Sequence, residues 1–230
     1  MVLSDEATRF VRAAGPEHTE VQERMAALAR ERRFPNIGPD AGGVLRMVAR
    51  LTGAETVFEF GSGFGYSASW FLRGGADRVV LTEFDEDELE RGEEFLTEAG
   101  LADCCQFEHG DALAAVERYD GPFDVVLVDH QKERYEDAFH SVAPKVAEGG
   151  VVVADNIMYG PIDFHSLLAH MEGEPRAIDI DDEPSRGVAC YLDAVRDDPA
   201  FETLVLPVGS GLAVSTKVEE TGDRSDPVDT

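Results

Sequence analysis

Lysine is nearly absent from this chain of 230 residues, occurring only as Lys132, Lys145 and Lys217, so arginine supplies almost all of its positive charge. Against 20 basic residues stand 47 carboxylates, a formal net charge of −27. Such a balance excludes a nucleic-acid ligand, whose phosphates need cationic contacts. The carboxylates are spread along the whole chain. That distribution suits a hydrated shell in a very salty cytoplasm better than a docking tail for a basic partner, because molar salt screens repulsion to about 3 Å. Cysteine is scarce too. Cys104, Cys105 and Cys190 form no framework and no CxxC pair, so they are expected to be small buried thiols in a reducing compartment. No apolar run approaches the roughly 20 residues of a membrane helix, and residues 1–15 lack the apolar core of a secretory signal. A cytoplasmic protein without membrane or nucleic-acid partners is expected. Its length suits one domain with its own core.

What is present is ordered. Thr19 and Gln22 have the spacing of a capping box, followed by an apolar stripe at Val21, Met25, Leu28 and Ala29. Phe34 to Pro39 breaks that helix; Asp40 is placed to cap the next, which ends near Gly53. The period then changes. Short β-rich runs at 56–60, 79–82, 106–108, 125–128 and 151–154 alternate with amphipathic stretches at 66–72, 86–99, 112–118 and 134–146. Alternation of this kind predicts a doubly wound, mostly parallel α/β sheet with right-handed crossovers. Residues 201–207 and 212–217, around Gly209-Ser210-Gly211, predict an antiparallel C-terminal hairpin, making a seven-stranded Rossmann-like sheet. The expected domain is 1–218, with helices over 1–54 and the core over 55–218; 219–230 reads as a disordered tail.

The strongest local signal is the run from Val57 to Ser67, a strand leading into Gly61, Gly63 and Gly65 and then a helix. A dinucleotide fingerprint needs its third glycine at position 66, which is Tyr66. Glu83 ends the next predicted strand, where a carboxylate can accept both ribose hydroxyls. His109-Gly110-Asp111 ends the one after. Three such elements on consecutive strand ends favour S-adenosyl-L-methionine over NAD. Two further strand ends carry Asp129, with Lys132 three residues on, and Asp155-Asn156. Strand ends of a parallel sheet open on one crevice, so Asp129, Asp155 and Asn156 should converge there. Two carboxylates and an amide suit a hard cation, Mg²⁺ or Ca²⁺; an Asp-Asn pair after a strand also serves as a plain turn. No Cys/His set points to zinc. Trp70, the only tryptophan, is expected in the core.

The run Asp129-His-Gln-Lys-Glu-Arg-Tyr135 resembles the metal-and-base motif of catechol O-methyltransferases. Glu59 to Ser67 resembles their cofactor loop, Ala154-Asp155-Asn156 their second metal motif, and Asn36-Ile37-Gly38 with Gly42 the segment closing over the cofactor. The likeness covers residues 20 to 218 and extends to the cation-dependent caffeoyl-CoA enzymes. It implies S-adenosyl-L-methionine-dependent methylation of a hydroxyl on a small, catechol-like or phenolic molecule. Asp129, Asp155 and Asn156 would hold Mg²⁺, and Lys132 would be the base. Glu83 would bind ribose, while Asp111 and Ala112 would border adenine. Gly61, Gly63, Gly65 and Ser67 would follow the methionine portion, with Ile37 and Asp129 also on the cofactor side and Glu59 reaching its ammonium through water. A structural role is expected of His130. Gln131 departs from the catechol enzymes, which carry tryptophan there, and Glu202 is a poor match for their further acid. A homodimer is left open.

Overall fold

The computed structural model describes residues 2–173 and 176–218; the expected tail at 219–230 lies outside these. Seven strands form one sheet: β1 (Thr56–Phe60), β2 (Arg78–Glu83), β3 (Cys105–His109), β4 (Phe123–Val128), β5 (Val146–Ala154), β6 (Phe201–Leu206) and β7 (Leu212–Lys217). Their order is β3-β2-β1-β4-β5-β7-β6. The first five are parallel, and β7 runs antiparallel between β5 and β6. Successive strands thus build outward from β1 on one side and from β4 on the other. The crevice where the order reverses, between the carboxyl ends of β1 and β4, is where ligands bind in open α/β sheets.

Nine α-helices lie within the described residues: α1 (Asp5–Ala14), α2 (Glu20–Arg32), α3 (Gly38–Thr52), α4 (Tyr66–Gly74), α5 (Glu86–Glu98), α6 (Ala112–Val116), α7 (Tyr135–Val142), α8 (Phe164–Met171) and α9 (Glu183–Asp197). Strand side chains alternate between two covered faces. Val57, Leu81, Leu127 and Val153 pack under α2 to α5, with Met25, Leu45, Trp70 and Leu96. Phe58, Phe60, Val126 and Val152 pack under α6 to α9, with Phe139, Val188 and Tyr191. Fully burying each large apolar side chain contributes about 1.5–3 kcal/mol, so both faces are held by burial. Trp70 is fully buried, as expected, and a Cβ on Gly42 would overlap its indole.

The capping box forms as the spacing predicts: Thr19 accepts from the Gln22 amide and Gln22 answers the Thr19 amide. Asp40 does not cap α3. The residue before α3 is Ile37, without a side-chain cap, and Asp40 lies inside the first turn, 3.1 Å from Arg12 of α1. Pro39 needs no amide partner there, and a buried carboxylate is better satisfied by a guanidinium. Helices α8 and α9 were not anticipated. Strand β5 begins at Val146 rather than 151, and α7 ends at Val142, ahead of Pro144.

All three lysines turn inward. Lys145 Nζ donates to the Val116 carbonyl at 2.9 Å, Lys217 Nζ to those of Ala143 and Val146 at 2.8 and 2.9 Å, and Lys132 is buried. Exposed ion pairs such as Arg24–Glu98 and Arg176–Asp179 are screened by solvent and contribute too little to offset a charge of −27. The thermal midpoint should therefore rise as KCl goes from dilute to molar, because salt screens the self-repulsion. A flat or falling midpoint would point instead to a basic partner.

Candidate active site

A cleft of about 560 Å³ opens at the switch point, walled by the glycine loop, the ends of β2, β4 and β5, and the segment Phe34–Ile37. A larger hollow of about 970 Å³ is walled by residues of α7 and α9 and the chain around α8, with no strand residue in its lining. The cleft holds most of the groups expected from the sequence: Ile37, Gly61, Gly63, Ser67, Glu83, Asp129, Lys132, Asp155 and Asn156 all line it.

Gly61 has φ +82°, and a Cβ there would run into the Asp129 carbonyl. The glycine therefore lets the loop lie against the end of β4, whose Asp129 amide bonds the Phe60 carbonyl at 2.9 Å. Gly63 is less constrained by backbone: its Cβ would meet only the Phe34 ring, at 2.6 Å. Gly61→Ala should consequently lower stability more than Gly63→Ala. Both glycines have positive φ, so both variants carry the strain of a left-handed residue, about 1–3 kcal/mol or a midpoint drop of roughly 2–10 °C, and Gly61→Ala adds the collision with the Asp129 carbonyl. Equal midpoints in the two variants would contradict the contact described. Gly65 lies behind the wall as the left-handed cap of α4, against Leu96.

Glu83 is held by three backbone amides: Oε2 accepts from Gly63 at 2.9 Å, Oε1 from Phe84 and Asp85 at 3.0 and 3.1 Å. Burial still raises its pKa, opposed by those bonds. Glu59 is fully buried on β1 and neither carboxylate oxygen has a partner. Burial pushes it up to about 8, with Ser67 pulling the other way and Asp129 adding to the rise. An orphaned carboxyl is costly, and Glu59 does not itself line the cleft. Asp111 and Ala112 do not line the cleft. Asp111 caps α6 and pairs with Arg134 at 3.0 Å, which holds its carboxyl below the usual range. Ala112 is in the core.

At the other end Lys132 Nζ donates to Asp129 Oδ1 and the His130 carbonyl, both at 3.2 Å, and to the Tyr135 hydroxyl at 2.6 Å. Asp155 Oδ1 is buried without a partner. Burial, then the charge of Asp129, raises its pKa well above the ordinary value. Asn156 adopts φ +59°, turning the chain after β5. Among the described residues no three His, Cys, Asp or Glu side chains are grouped to hold a metal; the donors converging here are two carboxylates and an amide. They fit a hard cation, because it would satisfy both the unpartnered Asp155 oxygen and the mutual repulsion of the two acids. His130 stacks on Tyr135 at 5.5 Å, 10° from parallel, and its ring nitrogens are unpartnered. Burial, then Lys132 and Arg134, pushes its pKa down to about 3, so it is neutral.

Several wall residues escaped the sequence reading: Phe34, Tyr66, Tyr159, Pro184 and Ser210. Tyr66 bonds His18 Nε2 at 2.6 Å, and Tyr159 stands 57% exposed at the mouth. Pro184 had a signal: Asp182 two residues ahead of a proline is a helix start, and Asp182 caps α9.

The fold has counterparts among solved structures. An O-methyltransferase from Streptomyces achromogenes, solved with S-adenosylmethionine, superposes with a TM-score of 0.78 at 24% identity, covering 93% of this chain and 96% of that one. Tricin synthase 2 of Oryza sativa is 24% identical over 88% of this chain and 71% of its own length. The catechol O-methyltransferase of Niastella koreensis is 29% identical over 54% of this chain and 58% of its own. No helix among the described residues is long and apolar enough to cross a membrane. With the O-methyltransferase family model matching residues 16–218, the chain belongs to that family and is an S-adenosylmethionine-dependent O-methyltransferase.

Proposed function

We propose that the enzyme methylates a hydroxyl of a small catechol-like or phenolic molecule, with a divalent cation, Mg²⁺ by preference, held by Asp129, Asp155 and Asn156. The observation that carries this reading is the meeting of two acids, an amide and a buried lysine on the wall of one cleft. S-adenosylmethionine would lie along Gly61, Gly63 and Ser67, with Glu83 at its ribose and Glu59 toward its ammonium. Bound there, the sulfonium supplies the methyl group, and the cation lowers the pKa of the acceptor hydroxyl and orients it. Lys132 Nζ accepts the hydroxyl proton; for that step the ammonium that donates to Asp129, the His130 carbonyl and Tyr135 must first give up one of its own protons. Ile37 and the Phe34–Asn36 segment cover the loop and exclude water from the transfer. Tyr159, with Gln131 and Glu133, forms the acceptor mouth, more polar than one walled by tryptophan.

A second reading is a metal-free enzyme of the same fold, favoured by the 3.2 Å pair in which Lys132 itself neutralises Asp129. Methyl transfer to a panel of catechols and simple phenols, with Mg²⁺ or with EDTA, separates the two. We expect activity on catechols that EDTA abolishes and Mg²⁺ restores, and an Asp155→Ala variant that loses most activity and its response to Mg²⁺ while binding S-adenosylhomocysteine normally. Full activity in EDTA would establish the second reading.

A further inference from the structure

Tyr135 is fully buried and its hydroxyl faces two ways. It accepts from Lys132 Nζ at 2.6 Å and donates to the Asp155 carbonyl at 3.1 Å. One phenol oxygen thus links the lysine after β4 to the backbone at the end of β5. The ring is fixed as well. His130 stacks on one side, and Tyr191 of α9 meets it edge-on at 5.8 Å. Beneath the lysine, α9 approaches so closely that a Cβ on Gly187 would overlap the Lys132 carbonyl and crowd Glu133 Cα. A lysine side chain has four rotatable bonds and loses rotamer entropy when fixed. Here Tyr135, Asp129 and the His130 carbonyl hold the side chain, and α9 packs against the backbone that carries it.

We propose that Tyr135 is a positioning residue for the methyl-transfer reaction, aiming Lys132 Nζ at the acceptor hydroxyl and tying it to the end of β5. This rests on the reading of Lys132 as the base. Tyr135→Phe keeps the ring and removes only the oxygen. Misplacing a reacting group by about 1 Å can cost on the order of 10²-fold, so kcat should fall about 10- to 100-fold. KM for S-adenosylmethionine should stay put, because the glycine loop is untouched.

The test is a double-mutant cycle, with kcat measured on catechol with Mg²⁺ and saturating cofactor for the parent, Tyr135→Phe, Lys132→Met and both together. If Tyr135 acts through Lys132, removing its hydroxyl costs almost nothing once Lys132 is methionine. An impaired Lys132→Met in which Tyr135→Phe still costs its full factor leaves the base assignment standing and overturns the positioning role. A fully active Lys132→Met overturns both. A second readout uses the rarity of lysine: ¹⁵N-lysine labelling gives three side-chain ammonium signals, and Lys132 is assigned by its loss in Lys132→Met. That signal should persist at neutral pH in the parent, sheltered by its three acceptors, and broaden in Tyr135→Phe. Should Tyr135→Phe not fold, a Lys132 signal in the parent exchanging as fast as a free lysine would overturn the proposal by itself.

Discussion

Lys132→Met should lower kcat by about 10²–10⁴-fold, the usual worth of general base catalysis, while leaving binding of S-adenosylhomocysteine within about twofold. Methionine fills much the same volume and avoids leaving a hole, so the loss reports the amine. The variant leaves Asp129 without its 3.2 Å partner and the Tyr135 hydroxyl without its 2.6 Å donor; it does not touch the loop or Glu83. Raising the pH should partly restore the variant, since more acceptor then arrives already ionised. Asp155→Ala should show no such recovery, because its defect is lost charge stabilisation and orientation. The comparison is a pH series of kcat for parent and both variants on one catechol. A Lys132→Met enzyme as fast as the parent at neutral pH would falsify the assignment of the base.

Glu59→Gln should divide stability from binding. Folding raises the Glu59 pKa from 4.5 to about 8. For an acid raised on folding, the stabilising contribution is fully present below about pH 4.5 and is lost as pH rises through about 8. Glutamine carries no such dependence. The ligand-free variant should therefore match the parent near pH 4.5 and exceed it near pH 9, by up to a few kcal/mol. Binding should move the other way. A cationic ammonium set against Glu59 favours the carboxylate, so at pH 7 cofactor binding to the parent should release close to one proton, seen as calorimetric enthalpies that differ between phosphate and Tris. The variant should lose that release and bind about 10- to 100-fold more weakly, the worth of a hydrogen bond to a charged group. Equal affinity, with no buffer dependence in the parent, would place the ammonium elsewhere.

Both results turn on groups that stand in short, local sequence patterns, which is why so much of the site was legible in advance. Strand β1 has the bounds expected, and the parallel order follows from helices alternating with β-branched runs. Once the sheet is parallel, residues just past strand ends must meet, so Glu83, Asp129 and Asp155 could be placed without knowing a single contact. The failures have a different physical origin. Asp40 carries a good capping residue type, but the distant Arg12 outcompetes a local bond. Helix α9 was passed over although Val188, Ala189, Tyr191, Leu192 and Val195 make an apolar face behind the Asp182 cap. Tyr135 closes the Asp129–Tyr135 run, yet its two hydroxyl partners come from the end of β5 and from the turn after β4. Gly187 shows nothing locally, since the reason for it is the backbone of another element. Scarcity alone does not distinguish Lys132 from Lys145 and Lys217, which are tied to backbone carbonyls by one bond and by two and have no part in the cleft.

That inward engagement of every lysine has a practical corollary. Surface amines are what acylating reagents and most amine-directed crosslinkers attack, and they need a free, uncharged nitrogen. In the folded enzyme each lysine nitrogen is committed to at least one backbone carbonyl. Lysine acylation thus becomes a reporter of opening: Lys145 and Lys217 sample the seams where α6 and β7 meet the turn after α7, and Lys132 samples the cleft. A ligand that closes the cleft would slow one of the three and leave the other two as an internal clock.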